Sequence, residues 1–139
     1  YYIMSAQTLN TFSEYEAKRL VDEEGQNIEK ILTIPVISLN YLLENYLSNI
    51  WPDFLSLDAE GLEDLIICNL GKSNNKPKVI CIETISYNTH GIGEKNISII
   101  QYLENIGYLL FADTYVNSIF VLKDLWLNRK RMKDSEEKM

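Results

Sequence analysis

The chain has 139 residues, of which 46% are hydrophobic and 24% are charged, proportions typical of a folded globular domain. Thirteen basic against twenty acidic residues give a net charge of −7, which argues against a surface that binds nucleic-acid phosphates. No apolar run approaches the ~18 residues that a membrane-spanning helix needs, so no membrane span is predicted.

Strand and helix signals begin at the first residues. Residues 1–4 predict a short strand. Ser13 followed by Glu16 forms a capping-box pattern, which predicts the start of a helix. Gly25 is well placed to end that helix, because glycine readily adopts the left-handed conformation of a helix C-terminus.

The clearest helix signal lies in residues 39–50. Leucine, tyrosine and isoleucine recur there at the i, i+3, i+4 spacing of a single apolar stripe, with Ser38 as the predicted cap and residues 51–52 as the stop. The preceding residues 31–37 predict an extended segment, which Pro35 confines to a sheet edge or a strand start.

The second half of the chain predicts an alternation of strands and helices. In order, these are a strand at 53–58, a helix at 62–70 closed by Gly71, a buried strand at 78–84, a loop at 86–94, a helix at 95–106 with Ile97, Ile100, Leu103 and Ile106 on its apolar face, and strands at 108–113 and 118–123. Only four residues separate the last two strands, which permits a hairpin but no parallel crossover. The sequence therefore predicts an α/β fold of parallel strands with a C-terminal antiparallel hairpin.

Acidic residues follow two of the predicted parallel strands. Asp58 and Glu60-Gly61 come after the strand at 53–58, and Glu83 ends the next one. Ligands of open α/β sheets bind beyond the carboxyl ends of the strands, so these carboxylates are candidates for general-base work. Two simpler interpretations stay open: Asp58 or Glu60 caps the following helix, and Gly61 only permits a tight turn.

Few residues suggest metal or nucleophile chemistry. Cys68 and Cys81 lie in apolar segments and His90 is the single histidine, so no metal site is predicted, and both thiols are interpreted as reduced core residues of a cytoplasmic protein. His90 and Tyr87 are candidate substrate-binding residues near the same rim, as is Tyr115. An exposed loop histidine and packing tyrosines are the alternatives.

An ordered set of segments resembles one known family. Residues 52–62 (PDFLSLDAEGL) resemble the D-x-E-G block of FkbM-family methyltransferases, and the similarity continues through residues 76–84 and 107–108. It extends to residues 112–114 and 117–120, and upstream to the segment around Ser13. The resemblance covers nearly all of the chain in the expected order.

The resemblance implies an S-adenosylmethionine-dependent O-methyltransferase with a Rossmann-like class I sheet. The strands ending at Asp58 and Glu83 would be the fourth and fifth of seven, and the terminal hairpin the sixth and seventh. Asp58 and Glu60 would face the methionine end of the cofactor and the acceptor, and one of these two would be the favoured group to remove the acceptor proton. Gly61 would join Asp58 in cofactor binding, and Glu83 would lie on the neighbouring rim. The acceptor would be a small molecule or glycan hydroxyl.

One departure from the family pattern shapes the expectation for this chain. The glycine-rich loop and the ribose-binding acid of the family have no counterpart after Tyr1, so residues 1–127 are expected to form the C-terminal portion of the domain, followed by a charged tail at 128–139. Such a portion should bind the cofactor poorly, be inactive alone and self-associate through an exposed strand edge. The alternative is a non-catalytic α/β interaction module that has lost the cofactor site.

Overall fold

The computed structural model describes residues 1–70, 75–85 and 93–136, with side chains described as far as Arg129. Strands and helices alternate through these residues. In chain order they are β1 (Tyr2–Met4), a 3-10 turn (Gln7–Leu9), α1 (Glu14–Glu24), β2 (Ile28–Ile31), α2 (Leu39–Tyr46), β3 (Phe54–Leu57), α3 (Glu63–Ile67), β4 (Val79–Glu83), α4 (Ile97–Asn105), β5 (Tyr108–Asp113), β6 (Asn117–Leu122) and α5 (Lys123–Glu136).

The main sheet has four strands in the order β3-β4-β6-β5. β3 runs parallel to β4, with Ser56 opposite Cys81, whereas β6 is antiparallel to both β4 and β5. The α/β class and the C-terminal antiparallel hairpin are thereby confirmed. β3 forms one edge of the sheet, and its Phe54 side chain is 56% exposed.

The core of the molecule lies against the main sheet. Ile80 and Ile82 of β4 and Phe120 of β6 are fully buried, since alternate residues of a strand point to the same face. Helices α3 and α4 cover them with Ile67 and Leu103.

The first two strands form a sheet of their own, which the sequence did not indicate. β1 pairs with β2 in antiparallel fashion, with Ile3 opposite Lys30. Helix α1 buries its apolar face on this hairpin, in a second core formed by Met4, Leu9, Ala17 and Leu20. The predicted arrangement of parallel strands therefore does not extend to β1 and β2, because α1 packs on its own flanking strands.

The predicted extended segment at 31–37 is only partly a strand. β2 ends at Ile31, Leu32 still exchanges two backbone hydrogen bonds of 2.8 Å with Tyr1, and residues 33–38 belong to no strand. Pro35 lies in this segment and lacks the backbone N–H that a ladder needs, while Ile34, Val36 and Ile37 are exposed.

The predicted helix starts are confirmed at atomic detail. The Ser13 hydroxyl accepts a hydrogen bond from the Glu16 amide at 3.2 Å, and the Ser38 hydroxyl accepts one from the Tyr41 amide at 3.1 Å. Gly25 ends α1 with a φ of 64°. The Glu16 carboxylate, however, pairs with the Arg19 guanidinium at 2.6 Å.

The apolar faces of α2 and α4 differ from the prediction. Helix α2 is shorter, and the buried face of α4 is centred on other residues. Helix α2 ends at Tyr46, because Ser48 and Asn49 adopt left-handed backbone conformations, and Ile50 is 62% exposed. In α4 the fully buried pair is Ile99 and Leu103, four residues apart, whereas Ile97 is the exposed first residue of the helix.

The ends of the remaining elements also differ from the prediction. Helix α3 closes at Ile67, and Gly71, its predicted stop, lies outside the described residues, as does most of the 86–94 loop. Helix α5 (Lys123–Glu136) includes residues 128–136 of the predicted charged tail. Among the described residues, none of the helices combines the length and apolarity needed to cross a membrane.

Candidate functional site

A cavity of about 390 Å³ lies between the N-terminal unit, formed by β1, the 3-10 turn, α1 and β2, and the carboxyl ends of β3 and β4. Its size is within the range of small-molecule binding sites. One wall comes from the 3-10 turn and α1, and the other from the loop after β3, the end of β4 and the start of α4. The residues on the second wall are Glu60, Gly61, Glu63, Asp64, Glu83, Thr84, Ile85, Asn96 and Ile99.

The loop of residues 58–61 has an unusual backbone. Glu60 has a φ of 53° and Gly61 a φ of 94°, both in the left-handed region. Left-handed geometry costs a non-glycine residue about 1–2 kcal/mol, so surrounding contacts must hold Glu60 in place.

Glu63 supplies two of those contacts. Its side chain is buried, and its two carboxylate oxygens accept hydrogen bonds from the Ala59 amide at 2.6 Å and the Gly61 amide at 3.0 Å. The N-cap position of α3, Leu62, has no side-chain cap. Leu62 occupies the N-cap position, so neither Asp58 nor Glu60 is the N-cap residue of α3.

The electrostatics of the cavity wall centre on Glu83. Burial raises the pKa of the Glu83 carboxyl to about 7, and the nearby charges of Asp58, Glu63 and Glu60 add to the effect. Burial also raises the pKa of Glu60, again with help from Asp58 and Glu63. The carboxylates therefore gather at one rim, as the strand ends predicted.

This pKa shift predicts a pH dependence of stability. Between pH 4.5, the ordinary pKa of the carboxyl, and about 7, the unfolded chain has released the Glu83 proton and the folded protein still holds it. The free energy of unfolding should fall as pH rises through this range, by roughly 1–2 kcal/mol for this partly exposed group.

Urea unfolding at pH 5 and pH 8 measures this contribution. Glu83→Gln removes the titrating group, so the variant should lose less stability than the unmodified protein between the two pH values. Equal losses in both proteins would contradict the assignment.

Three carboxylates lie close enough to share a cation. One oxygen from each of Asp58, Glu63 and Glu83 lies within 4.8 Å of the others. Oxygen donors of this kind suit a hard cation such as Mg²⁺ or Ca²⁺. Glu63 already accepts two backbone hydrogen bonds, which limits what it can offer to a metal.

A network of hydrogen-bonded polar side chains holds the end of β4 in place. The Lys95 ammonium lies 2.7 Å from Asp113 and donates to the Thr84 hydroxyl at 3.1 Å, and Thr84 shares a 2.6 Å hydrogen bond with Ser118. The Lys95 contact lowers the pKa of Asp113. The strand ends of β4, β5 and β6 are thereby tied together beside the cavity.

The structure brings some of the predicted site residues together. Glu60, Gly61 and Glu83 lie on the cavity wall, and Asp58 joins the carboxylate cluster. Tyr115 is exposed in the turn between β5 and β6, away from the described wall. Two further candidates, Tyr87 and His90, lie outside the described residues.

Sequence reasoning missed Glu63 and Thr11. Glu63 carried a usable signal, because it is the acid that follows a D-x-E-G block in the first turn of a helix. Thr11, on the opposite side of the loop, lies in the upstream segment that resembles the family, but nothing local to it indicates a contact with a residue 49 positions away.

The comparisons with known proteins bear on this site. The family model for the methyltransferase FkbM domain matches residues 2–110, a span from β1 into β5 that includes both walls of the cavity. No curated protein and no solved structure gives a significant match to the chain. The resemblance noted in the sequence is confirmed by the family match.

Proposed function

Because the chain belongs to the FkbM methyltransferase family, we propose that it serves S-adenosylmethionine-dependent methyl transfer to a hydroxyl group of a small molecule or glycan. The observation that carries this proposal is the cavity at the strand ends, with Glu83 and Glu60 on one wall. A cavity at the carboxyl ends of strands is where open α/β sheets bind their ligands.

The chemistry of the cavity wall fits the methionine end of S-adenosylmethionine. The charged side chains on the described walls are all acidic, namely Glu16, Glu60, Glu63, Asp64 and Glu83, and Glu16 is already paired with Arg19. The sulfonium and ammonium groups of the cofactor are cationic and favour such surroundings. Asp58 and Glu60 would hold that end, beside Gly61.

Glu83 is the group best suited to remove the acceptor proton. When bound, S-adenosylmethionine supplies an electrophilic methyl group. A carboxylate with a pKa near 7 is about half ionised at neutral pH and basic enough to accept a proton, and Glu83 has that property. Its carboxylate would take the proton of the acceptor hydroxyl, while Glu60 and Asp58 raise its basicity through their charge.

Two further parts of the proposal concern the setting of the protein. Cys68 and Cys81 are free thiols, which supports a reducing, cytoplasmic compartment, although Cys68 is exposed and Cys81 only partly buried, so the interpretation of both as core residues is wrong. β3 lies at an edge of the main sheet, which supports self-association through strand pairing.

A methyl-transfer assay tests the function. The natural gene product that contains these residues is incubated with S-adenosylmethionine and a panel of acceptors, including neutral sugars, glycolipids and simple alcohols, and S-adenosylhomocysteine is quantified. We expect acceptor-dependent product above the background without acceptor.

The negative outcome of the same assay has a definite meaning. Absence of turnover on every acceptor, together with absence of cofactor binding by calorimetry, would contradict the proposal and favour a non-catalytic α/β interaction module.

A further inference from the structure

Both polar groups of the peptide between Glu60 and Gly61, its N–H and its carbonyl, are hydrogen-bonded. Its N–H donates to a carboxylate oxygen of Glu63 at 3.0 Å. Its carbonyl oxygen accepts two hydrogen bonds, from the Thr11 hydroxyl at 2.9 Å and from the Phe12 amide at 2.9 Å. The donors and acceptors therefore come from two different parts of the chain.

The Thr11 side chain is built into this contact. It is 5% exposed, and its hydroxyl also accepts a hydrogen bond from the Ser13 amide at 3.0 Å. A Cβ atom at Gly61 would lie 3.0 Å from that hydroxyl oxygen and 3.3 Å from the Ser13 Cβ. The N-terminal unit thus packs directly on the loop that carries Glu60.

These bonds determine the backbone of Glu60. The orientation of the 60–61 peptide plane helps to set ψ of Glu60, and the Glu63 bond to the Ala59 amide restrains the 58–59 peptide on the other side of Ala59. The surroundings therefore fix a left-handed residue whose conformation would otherwise cost about 1–2 kcal/mol. Where Glu60 lies on the cavity wall depends on that backbone.

We infer that Thr11 and Glu63 are positioning residues, which clamp the peptide between Glu60 and Gly61 and so keep the Glu60 carboxylate on the cavity wall beside Glu83. The inference rests on the proposed function for its catalytic meaning. Its structural content, the dependence of Glu60 on a hydroxyl 49 residues away, stands independently of that function.

The test compares two substitutions at one position. Thr11→Val keeps the shape of the side chain and removes the hydroxyl, whereas Thr11→Ser keeps the hydroxyl and removes a methyl group. Carbon-13 NMR of the labelled protein reports the left-handed backbone of Glu60 through its Cα and Cβ shifts, and the pKa of its carboxyl through a pH titration.

We expect Thr11→Val to shift the Glu60 backbone signals and to lower the carboxyl pKa towards its ordinary value, because the released loop exposes the group to water. Thr11→Ser should match the unmodified protein in both readouts. In the natural gene product, Thr11→Val should lower kcat about tenfold with the acceptor KM changed less than twofold, and Thr11→Ser should restore kcat.

Three results would overturn the inference. These are unchanged Glu60 signals in folded Thr11→Val, equal disturbance by valine and serine, and an unchanged kcat in an active gene product. Should Thr11→Val fail to fold, Glu63→Gln, which retains one acceptor oxygen, must disturb the Glu60 backbone signals for the inference to stand. If the gene product has no methyltransferase activity, the NMR readouts alone decide the inference. Failure of the proposed function is therefore distinguishable from failure of the inference.

Discussion

Replacing Glu83 with glutamine is expected to lower the rate of methyl transfer by about 10²–10⁴-fold, the usual range for loss of a general base. Glutamine is nearly isosteric with glutamate and has no basic oxygen that titrates near neutral pH. Because burial raises the pKa of Glu83, the uncharged variant is also expected to stay folded. The rate is measured as S-adenosylhomocysteine formation by the natural gene product.

Matched variants separate the base from general effects of charge. Glu104→Gln makes the same chemical change at an exposed position of α4 and should leave the rate unchanged. Asp58→Asn and Glu60→Gln should lower the rate strongly and move the acid limb of the pH–rate profile below pH 7, because each removes a charge that raises the Glu83 pKa. Unmodified turnover in Glu83→Gln would exclude it as the base.

Replacing Gly61 with alanine is expected to lower the free energy of unfolding by about 2–4 kcal/mol. Part of the loss is the left-handed backbone, with a φ of 94°. The rest is steric, because the new methyl carbon would lie 3.0 Å from the Thr11 hydroxyl oxygen. Urea unfolding at fixed pH measures the change.

Gly107 offers a close control for that prediction. Its φ of 99° is nearly the same, but a Cβ atom there would meet nothing within 4 Å. Gly107→Ala should therefore lose only about 1–2 kcal/mol, the backbone part alone. Equal losses at the two positions would show that the contact between Gly61 and Thr11 adds nothing to stability.

Sequence signals predicted the elements of the fold well wherever the structure depends only on residues that are close together in the chain. Ser13, Ser38 and Gly25 set the ends of helices through contacts within a few residues, and the short link between β5 and β6 left the hairpin as the only choice. The pairing of β1 with β2 escaped prediction, because it depends on α1 packing on its flanking strands.

Only the part of the candidate site that lies at the strand ends could be predicted from the sequence. Strand ends placed Glu60 and Glu83 at one rim, because that follows from parallel neighbours. The wall contributed by Thr11 was not predictable, since it depends on a contact across 49 residues. The main cause of the raised pKa of Glu83 could not be predicted either, because that cause is burial, which is a property of the packed protein.

The two walls of the cavity belong to different cores. Residues 8–20 rest on the small core of Met4, Leu9, Ala17 and Leu20, whereas the strand ends rest on the core of the main sheet. Substitutions on the N-terminal wall can thus change the width and polarity of the cavity without disturbing the packing beneath Glu83. Divergence in acceptor choice among related proteins is therefore expected to concentrate at the positions of this stretch other than Thr11, which holds the loop that carries Glu60.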